Sequence, residues 1–255
     1  MADGGGPLAR LAARLAGRRA AERGPRVHHF QPGESVDLPS VLAAGDREAA
    51  HHLVRYLWAL EVVSERPGVR SLLDVACGSG YGTNLLASSL PSASVVGADA
   101  DPLAVRAARA AYRRPNLSFH TSDLMRWERT IGAASYDVVV SFDTLEHVRH
   151  RELMLKSLAE HLAPGGAVLL STPCASWETE PRPAWRAHRI EYGAPDLFDL
   201  LSRYFGTILR PCAGTLPHVE AFEPLAPAGM PYVLWMNPVV LSDPIRVACP
   251  FRREP

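Results

Sequence analysis

The stretch Leu72-Leu73-Asp74-Val75-Ala76-Cys77-Gly78-Ser79-Gly80-Tyr81-Gly82 decides the fold of this chain. An apolar run ends in an acidic residue, three glycines follow at alternate positions, and a predicted helix then begins. A buried strand that turns tightly into a helix brings backbone N–H groups to the carboxyl edge of a sheet. Glycine suits such a turn, because a side chain would block close approach and because the turn often requires a positive φ. The stretch therefore predicts a ligand-binding loop, with a purely structural tight turn as the alternative.

The spacing of the glycines separates two kinds of binding loop. A dinucleotide fingerprint, Gly-x-Gly-x-x-Gly, counted from Gly78 would place its third glycine where the chain has Thr83. The chain instead has Gly-x-Gly-x-Gly, preceded by Asp74. This spacing disfavours a nicotinamide oxidoreductase.

A second apolar run also ends in an acid. Asp99 closes the predicted strand Ser94–Asp99 and lies 19 residues after Gly80. In dinucleotide-type folds, an acid near that distance accepts hydrogen bonds from a ribose diol. Asp99 could instead cap the next helix, but Asp101, which stands before Pro102, suits the N-cap position better. We therefore assign Asp99 to a ligand and Asp101 to the helix.

Length and composition narrow the class of protein. The 255 residues suit one domain, and a formal net charge of zero attracts neither nucleic acid nor an anionic membrane. The sequence contains no apolar run that approaches the roughly 20 residues needed to span a bilayer. The four cysteines form no Cys-x-x-Cys pair, which argues against a zinc ribbon and fits reduced thiols in the cytoplasm.

Strands and helices alternate from residue 70 onward, which predicts a parallel sheet with right-handed crossovers and helices on both faces. The predicted strands lie near 70–76, 93–99, 116–120, 136–142 and 166–172, and the predicted helices near 82–90, 102–113, 149–162 and 194–204. Two later strand-like runs, 205–212 and 231–240, have no helix between them. They predict an antiparallel hairpin at the edge of the sheet.

The chain divides into a tail and one domain. Residues 1–27 are rich in arginine and predict a flexible tail. Residues 28–255 form the predicted domain, in which 28–68 are an N-terminal helical cap and 69–255 the core. A helix is predicted over 47–64.

Acidic residues and histidines follow the later strands. Asp123 and Leu124 come after the third strand, and Asp143 comes directly after the fourth. Ligands bind at the carboxyl ends of strands in an open parallel sheet. Asp123 is therefore a candidate ligand residue, and a helix N-cap is its structural alternative.

Together these motifs resemble the class I S-adenosylmethionine (SAM)-dependent methyltransferases, and the pattern is closest to the bacterial small-molecule group. The resemblance implies an α/β fold with a Rossmann-like, seven-stranded, mostly parallel sheet that ends in an antiparallel hairpin. It implies that Asp123 accepts a hydrogen bond from the adenine amino group, while the N–H of Leu124 meets a ring nitrogen. Ala76 departs from the family, in which many members have glycine. The residues implied to bind SAM are Tyr56, Asp74, Ala76, Cys77, Gly78, Gly80, Gly82, Asp99, Ala100, Asp123, Leu124 and Phe142.

The segment Asp143-x-x-Glu146-His147, with His188 further along, carries the candidate chemistry. We predict that His147 or His188 acts as a general acid–base group or positions the acceptor, since imidazole titrates near neutral pH. One helical turn would bring positions 143, 146 and 147 to one face. This element resembles the Glu-x-x-Glu-His metal site of small-RNA 2′-O-methyltransferases and some quinone-pathway O-methyltransferases, with a shorter first acid. The acid–base role is preferred, and no metal ligand is assigned.

The resemblance implies methyl transfer from SAM to an oxygen, in preference to a nitrogen, of a small molecule in secondary-metabolite or sugar biosynthesis. The expected partner is that small-molecule acceptor, with no nucleic acid and no membrane; a homodimer is compatible with the sequence. A metal-assisted RNA 2′-O-methyltransferase is one alternative, disfavoured by the lack of a basic patch beyond the tail. A non-catalytic SAM-binding subunit is the other.

Overall fold

The fold was examined in a computed structural model of the chain. The structure describes residues 47–64, 66–125, 131, 135–173, 178–184, 186–209 and 232–236. The predicted tail, the start of the predicted cap and residues 210–231 lie outside the described residues.

Helices and strands alternate along the described residues as the sequence predicts. The helices are α1 (Arg47–Ser64), α2 (Tyr81–Ser89), α3 (Pro102–Ala111), α4 (Arg151–Glu160) and α5 (Ala194–Ser202). The strands are β1 (Ser71–Val75), β2 (Ser94–Asp99), β3 (Leu117–Thr121), β4 (Tyr136–Phe142), β5 (Leu162–Ser171), β6 (Thr207–Leu209) and β7 (Tyr232–Met236). A short 3₁₀ turn, Leu145–His147, follows β4.

The strands form one sheet in the order β3-β2-β1-β4-β5-β7-β6. The strand order reverses between β1 and β4, whose parallel register pairs Leu72 with Val138 and Val75 with Ser141. A reversal of this kind opens a crevice at the carboxyl ends of the strands, where doubly wound folds bind their ligands. The predicted parallel α/β architecture is therefore confirmed.

The last two strands correct one expectation. Thr207–Leu209 and Tyr232–Met236 pair with each other in parallel, and the second also pairs in parallel with β5. They do not form the predicted antiparallel hairpin. A hairpin joins its strands by a few residues, whereas residues 210–231 are long enough to cross back and return a strand in parallel.

Alternation along the central strands explains why helices cover both faces of the sheet. Leu72 points to one face and packs in a cluster with Trp58 of α1. Its neighbour Leu73 points to the other face, in a cluster that includes Leu155 of α4 and Leu201 of α5. All of these side chains are almost wholly buried.

Among the described residues, no helix combines the length and the apolar character that a bilayer-spanning segment needs.

Replacement of Gly82 by alanine is expected to destabilise the fold through one contact. A Cβ at Gly82 would lie 2.0 Å from a ring carbon of Tyr56, so the ring or helix α2 must move. Overpacking of this kind costs about 1–3 kcal/mol of unfolding free energy, which urea denaturation measures. In a Tyr56→Ala background the same change should cost little, because alanine favours a helix over glycine. An equal loss in both backgrounds would contradict the contact.

Candidate active site

The turn after β1 is held closed by backbone hydrogen bonds. The N–H of Cys77 donates to the carbonyl of Ala98 on β2 at 3.1 Å, and the N–H of Gly80 donates to the carbonyl of Cys77 at 3.0 Å. Ala76, Gly78 and Gly80 all have positive φ, at 58°, 55° and 81°. Ala76 thus adopts the left-handed conformation that glycine adopts without strain. Many family members have glycine at this position, and alanine there costs some backbone strain.

Gly80 is also required by its neighbours. A Cβ there would lie 2.7 Å from the Cβ of Ala108 and 2.7 Å from the ring of Phe119. The buried thiol of Cys77 packs beside the same two residues and Tyr112. A contact between Cys77 and a cofactor would therefore use the main chain, and the side chain fills space.

Asp99 joins the turn to the end of β2. Its carboxylate accepts the N–H of Gly78 at 2.9 Å and the N–H of Asp101 at 2.8 Å. Asp101 caps α3 by accepting from the N–H of Leu103 at 3.0 Å, as predicted. Asp99 is half-buried and Ala100 beside it is exposed, so both lie at the open edge of the sheet.

Asp74 lies beneath the turn rather than at its surface. It is 1% exposed and accepts hydrogen bonds from the Thr83 hydroxyl at 2.7 Å and the Tyr56 hydroxyl at 3.3 Å. Burial raises the pKa of Asp74 to about 7, although the two hydroxyls oppose the shift. In this arrangement Asp74 joins the start of α2 to the middle of α1.

The adenine-side candidates lie at the end of β3. Asp123 is exposed and accepts the N–H of Met125 at 2.9 Å. A side chain that accepts from the backbone two residues later caps a turn, which resembles the N-cap role considered as the alternative to ligand binding. Leu124 is partly buried against the core. The rings of Tyr56 and Phe142, both buried, meet edge-on at 5.2 Å between centroids.

Asp143 begins the second half of the site. It has a positive φ of 47°, and its carboxylate is 2.8 Å from the Arg55 guanidinium and 3.3 Å from His52 Nδ1. The Ser171 hydroxyl donates to it at 2.9 Å. Burial alone would raise the pKa of Asp143, but Arg55 and His52 together lower it to about 2. Helix α1 is thereby fastened to the end of β4.

Glu146 lies in the following 3₁₀ turn and is fully buried. The Thr172 hydroxyl donates to Oε2 at 2.9 Å, while Oε1 has no hydrogen-bond partner among the residues that the structure describes. Burial, reinforced by the charge of Asp143, raises the pKa of Glu146 to about 8. A buried carboxyl oxygen without a hydrogen-bond partner costs free energy, and the raised pKa of Glu146 is the consequence of that burial.

The two predicted histidines lie beside Glu146. The rings of His147 and His188 meet edge-on at 4.8 Å between centroids, and His147 Nε2 is 3.9 Å from Glu146 Oε1. His147 Nδ1 contacts the Ala187 carbonyl at 2.9 Å, and His188 Nδ1 contacts the Glu191 carboxylate at 2.6 Å. Burial lowers the pKa of His147, which favours the neutral imidazole.

Hydrogen bonds from Arg189 hold the segment that carries His188 against the segment that carries Glu146 and His147. The N–H of Arg189 donates to the carbonyl of Glu146 at 2.7 Å, and Arg189 Nε donates to the carbonyl of His147 at 3.0 Å. These hydrogen bonds explain how His188, which follows His147 by 41 residues, reaches the end of β4.

The structure brings together three of the four residues weighed as a metal site. One ligand atom from each of Glu146, His147 and His188 lies within 4.8 Å of the others. Asp143 is engaged with Arg55 instead, so the four-residue arrangement is not formed. The three remaining side chains are those that could hold a metal.

Sequence reasoning missed the partners of this cluster. Thr172 lies directly after β5, and β5 pairs with β4, so the rule that ligands gather at strand ends could have pointed to it. Glu191 and Arg55 were visible in the sequence near candidate residues, but their pairing with His188 and Asp143 needed the structure.

Comparison with known proteins identifies the family. A family model described as a methyltransferase domain matches residues 41–204. A probable SAM-dependent methyltransferase of Mycolicibacterium smegmatis is 33% identical over 173 residues, which cover 64% of this chain and 65% of that protein. A malonyl-[acyl-carrier protein] O-methyltransferase of Bacillus cereus is 30% identical over 126 residues, which cover 49% of this chain and 45% of the relative.

A TehB-like SAM-dependent methyltransferase of Corynebacterium glutamicum is 16% identical, with a TM-score of 0.44 over 78% of this chain and 84% of that one. The chain spans about half the length of the curated relatives it matches.

Asp74→Asn should change how the stability of the fold depends on pH. The folded-state pKa of Asp74, about 7, lies above its ordinary value of 3.8, so the folded state binds a proton that the unfolded state releases. Its stabilising contribution is present at low pH and is lost as the pH rises through 7. Between pH 5 and pH 8 the variant should therefore gain about 2 kcal/mol relative to the wild type in urea denaturation. A constant difference between variant and wild type would contradict the raised pKa.

Arg55→Met should destabilise the fold, because it leaves the buried carboxylate of Asp143 without its main cation. Removing one partner of a buried pair costs about 3 kcal/mol, which thermal or urea denaturation would detect. The double variant Arg55→Met/Asp143→Asn should recover most of that loss, since asparagine is neutral and tolerates a positive φ. Additive losses would show that the two residues do not interact.

Proposed function

Because this chain belongs to the SAM-dependent methyltransferases, we propose that it transfers the SAM methyl group to a heteroatom of a small molecule. One observation carries the proposal beyond the family. The glycine turn with Asp99 lies at the carboxyl edge of the sheet, where the strand order reverses between β1 and β4. The cluster of Glu146, His147 and His188 lies at the same edge. The first is suited to a nucleoside and the second to an acceptor that must lose a proton.

The cofactor half of the site fits SAM on the chain's own features. Asp99 presents a half-buried carboxylate at the tip of β2, where a ribose diol would meet it. Asp123 offers its carboxylate at the tip of β3, on the side proposed for adenine. When bound, SAM supplies a methyl group on a positively charged sulfur, which is an activated donor.

The protein then contributes alignment and exclusion of water. Tyr56, in the middle of α1, and Phe142, the last residue of β4, form an aromatic wall in which the two rings meet edge-on. We assign to this wall the exclusion of water from the reacting atoms.

The half of the site that binds the acceptor must take up the proton that the acceptor loses. An acceptor hydroxyl, which the sequence favours, has to be deprotonated as its oxygen attacks the methyl carbon. Each imidazole has Nδ1 directed to an oxygen acceptor, so Nε2 is the nitrogen that can take the proton. The pairing of Asp143 with Arg55 gives no support to the RNA 2′-O-methyltransferase alternative, which needs the first acid in the cluster.

His147→Ala and His188→Ala should each lower kcat about 10²-fold or more with a responsive acceptor, since they remove the group that takes the proton. Binding of S-adenosylhomocysteine, measured by calorimetry, should stay within a few-fold of wild type. His150→Ala is the matched control, because His150 is exposed and lies three residues from His147.

The assay is release of S-adenosylhomocysteine from SAM in the presence of small hydroxyl and amino compounds. Normal kcat in both histidine variants would refute the proton-transfer role. Cofactor binding without product from any acceptor would instead favour the non-catalytic subunit.

A further inference from the structure

The cluster after β4 gathers hydrogen-bond acceptors. Glu146 Oε1 is buried and has no partner among the described residues, although the Thr172 hydroxyl fixes the other oxygen at 2.9 Å. Thr172 therefore determines which oxygen faces the two histidines. A buried acceptor in this position calls for a donor from outside the chain.

The hydrogen bonds of the histidines set their tautomers. A carbonyl only accepts, so the contact between His147 Nδ1 and the Ala187 carbonyl places the hydrogen on Nδ1. The contact between His188 Nδ1 and the Glu191 carboxylate does the same. In both rings Nε2 is then the nitrogen that accepts. His147 and His188 thus contribute acceptors. Glu146 has a pKa of about 8 and holds a proton when no cation is bound beside it, and it becomes the third acceptor when a bound cation displaces that proton.

The spacing of the three groups can be compared with two kinds of occupant. One atom from each side chain lies within 4.8 Å of the others, and Glu146 Oε1 is 3.9 Å from His147 Nε2. Because the three separations are at most 4.8 Å, an atom centred among the three groups would lie at most about 2.8 Å from each, which is within hydrogen-bond length. Zinc binds at about 2.0–2.2 Å, so two of its ligand atoms lie at most about 4.4 Å apart. The pair at 3.9 Å fits either occupant, so the choice between them rests on the hydrogen bonds of the three groups, and zinc binding is measured as an alternative.

A nitrogen atom fits this centre better than an oxygen atom. A hydroxyl group carries one hydrogen and would satisfy one of three acceptors, whereas an amino group carries two or three. A protonated amino group would also neutralise the carboxylate of Glu146, while the charge of Asp143 is already matched by Arg55.

We propose that Glu146, His147 and His188 bind the amino group of a small amine, and that its nitrogen is the atom methylated. The proposal rests on the proposed function and names its acceptor class, where the sequence favoured oxygen. Glu146 binds the amine directly, which makes it a catalytic residue that sequence reasoning placed only in the metal alternative.

The reaction balances with SAM as the other substrate. The bound ammonium gives one proton to the Nε2 of a histidine, which frees the nitrogen lone pair. The lone pair attacks the methyl carbon, a C–N bond forms, and the C–S bond breaks with its electron pair passing to sulfur. The products are a methylated ammonium, S-adenosylhomocysteine and the proton held by the histidine, which is released to solvent.

The test offers the full-length enzyme matched pairs of amines and alcohols, such as glucosamine with glucose and cyclohexylamine with cyclohexanol. Binding to the enzyme saturated with S-adenosylhomocysteine is followed by ligand-observed NMR, and turnover with SAM by mass spectrometry of the product. We expect the amine of a pair to bind at least tenfold more tightly than the alcohol, and methylation to appear on nitrogen. Alcohols that bind or react as well as their amines, or amines that do not bind at all, would overturn the proposal.

Glu146→Gln sharpens the test. The amide keeps the shape but removes the charge, and amine binding or kcat/KM should fall about 10²-fold, as expected for a buried charge partner. Glu152→Gln is the control, since Glu152 is an exposed partner of Arg203 on α4. Unchanged amine binding in Glu146→Gln would refute the assignment.

Two further results separate the remaining outcomes. Tight stoichiometric binding of Zn²⁺ that is lost in Glu146→Gln would overturn the amine site in favour of a metal. Failure to bind S-adenosylhomocysteine would refute the proposed function itself. If Glu146→Gln does not fold, the amine–alcohol comparison on the wild type still decides the question.

Discussion

Close packing at the turn after β1 is the constraint on which the rest of the structure depends. Side chains from β3, α3 and α1 press against Gly80 and Gly82 so tightly that neither position can carry a Cβ. Because the turn is held there, the N–H of Gly78 reaches Asp99 at the tip of β2. The buried carboxylate of Asp74 lies directly beneath and receives hydroxyl groups from α1 and α2. The glycines are thus required by protein packing first, and the approach of a ligand is a consequence of the same geometry.

Helix α1 links the two halves of the site. Tyr56 contacts the first half through Asp74, and Arg55, the preceding residue, contacts the second half through Asp143. Neighbouring residues on a helix point in different directions, so one turn of α1 can reach the ends of both β1 and β4. Helix α1 therefore contacts both halves of the candidate site.

Most of the fold could be predicted because its signals are local. The fourth strand occupies 136–142 as expected, and Asp101 caps α3, since apolar runs and cap residues act over a few positions. The parallel pairing of the last two strands could not be predicted, because it depends on where a long connection returns the chain. Asp123 shows the same limit at the site, since an acid after a strand suits a cap and a ligand equally well. Because Asp123 is exposed beyond the end of β3, its carboxylate can cap the turn and can also contact a ligand.

The cluster after β4 shows that residue type alone does not determine the charge and the hydrogen bonding of a side chain. Asp143 and Glu146 are carboxylates three residues apart in the same buried turn, yet Arg55 pairs with the first and Thr172 contacts only one oxygen of the second. The difference comes from chain segments far away in sequence, which no local motif records. Asp143 is kept charged by Arg55 and His52, whereas burial keeps Glu146 protonated through its raised pKa. A cationic group bound beside Glu146 would favour its charged form, which is the physical reason for proposing an amine as the acceptor.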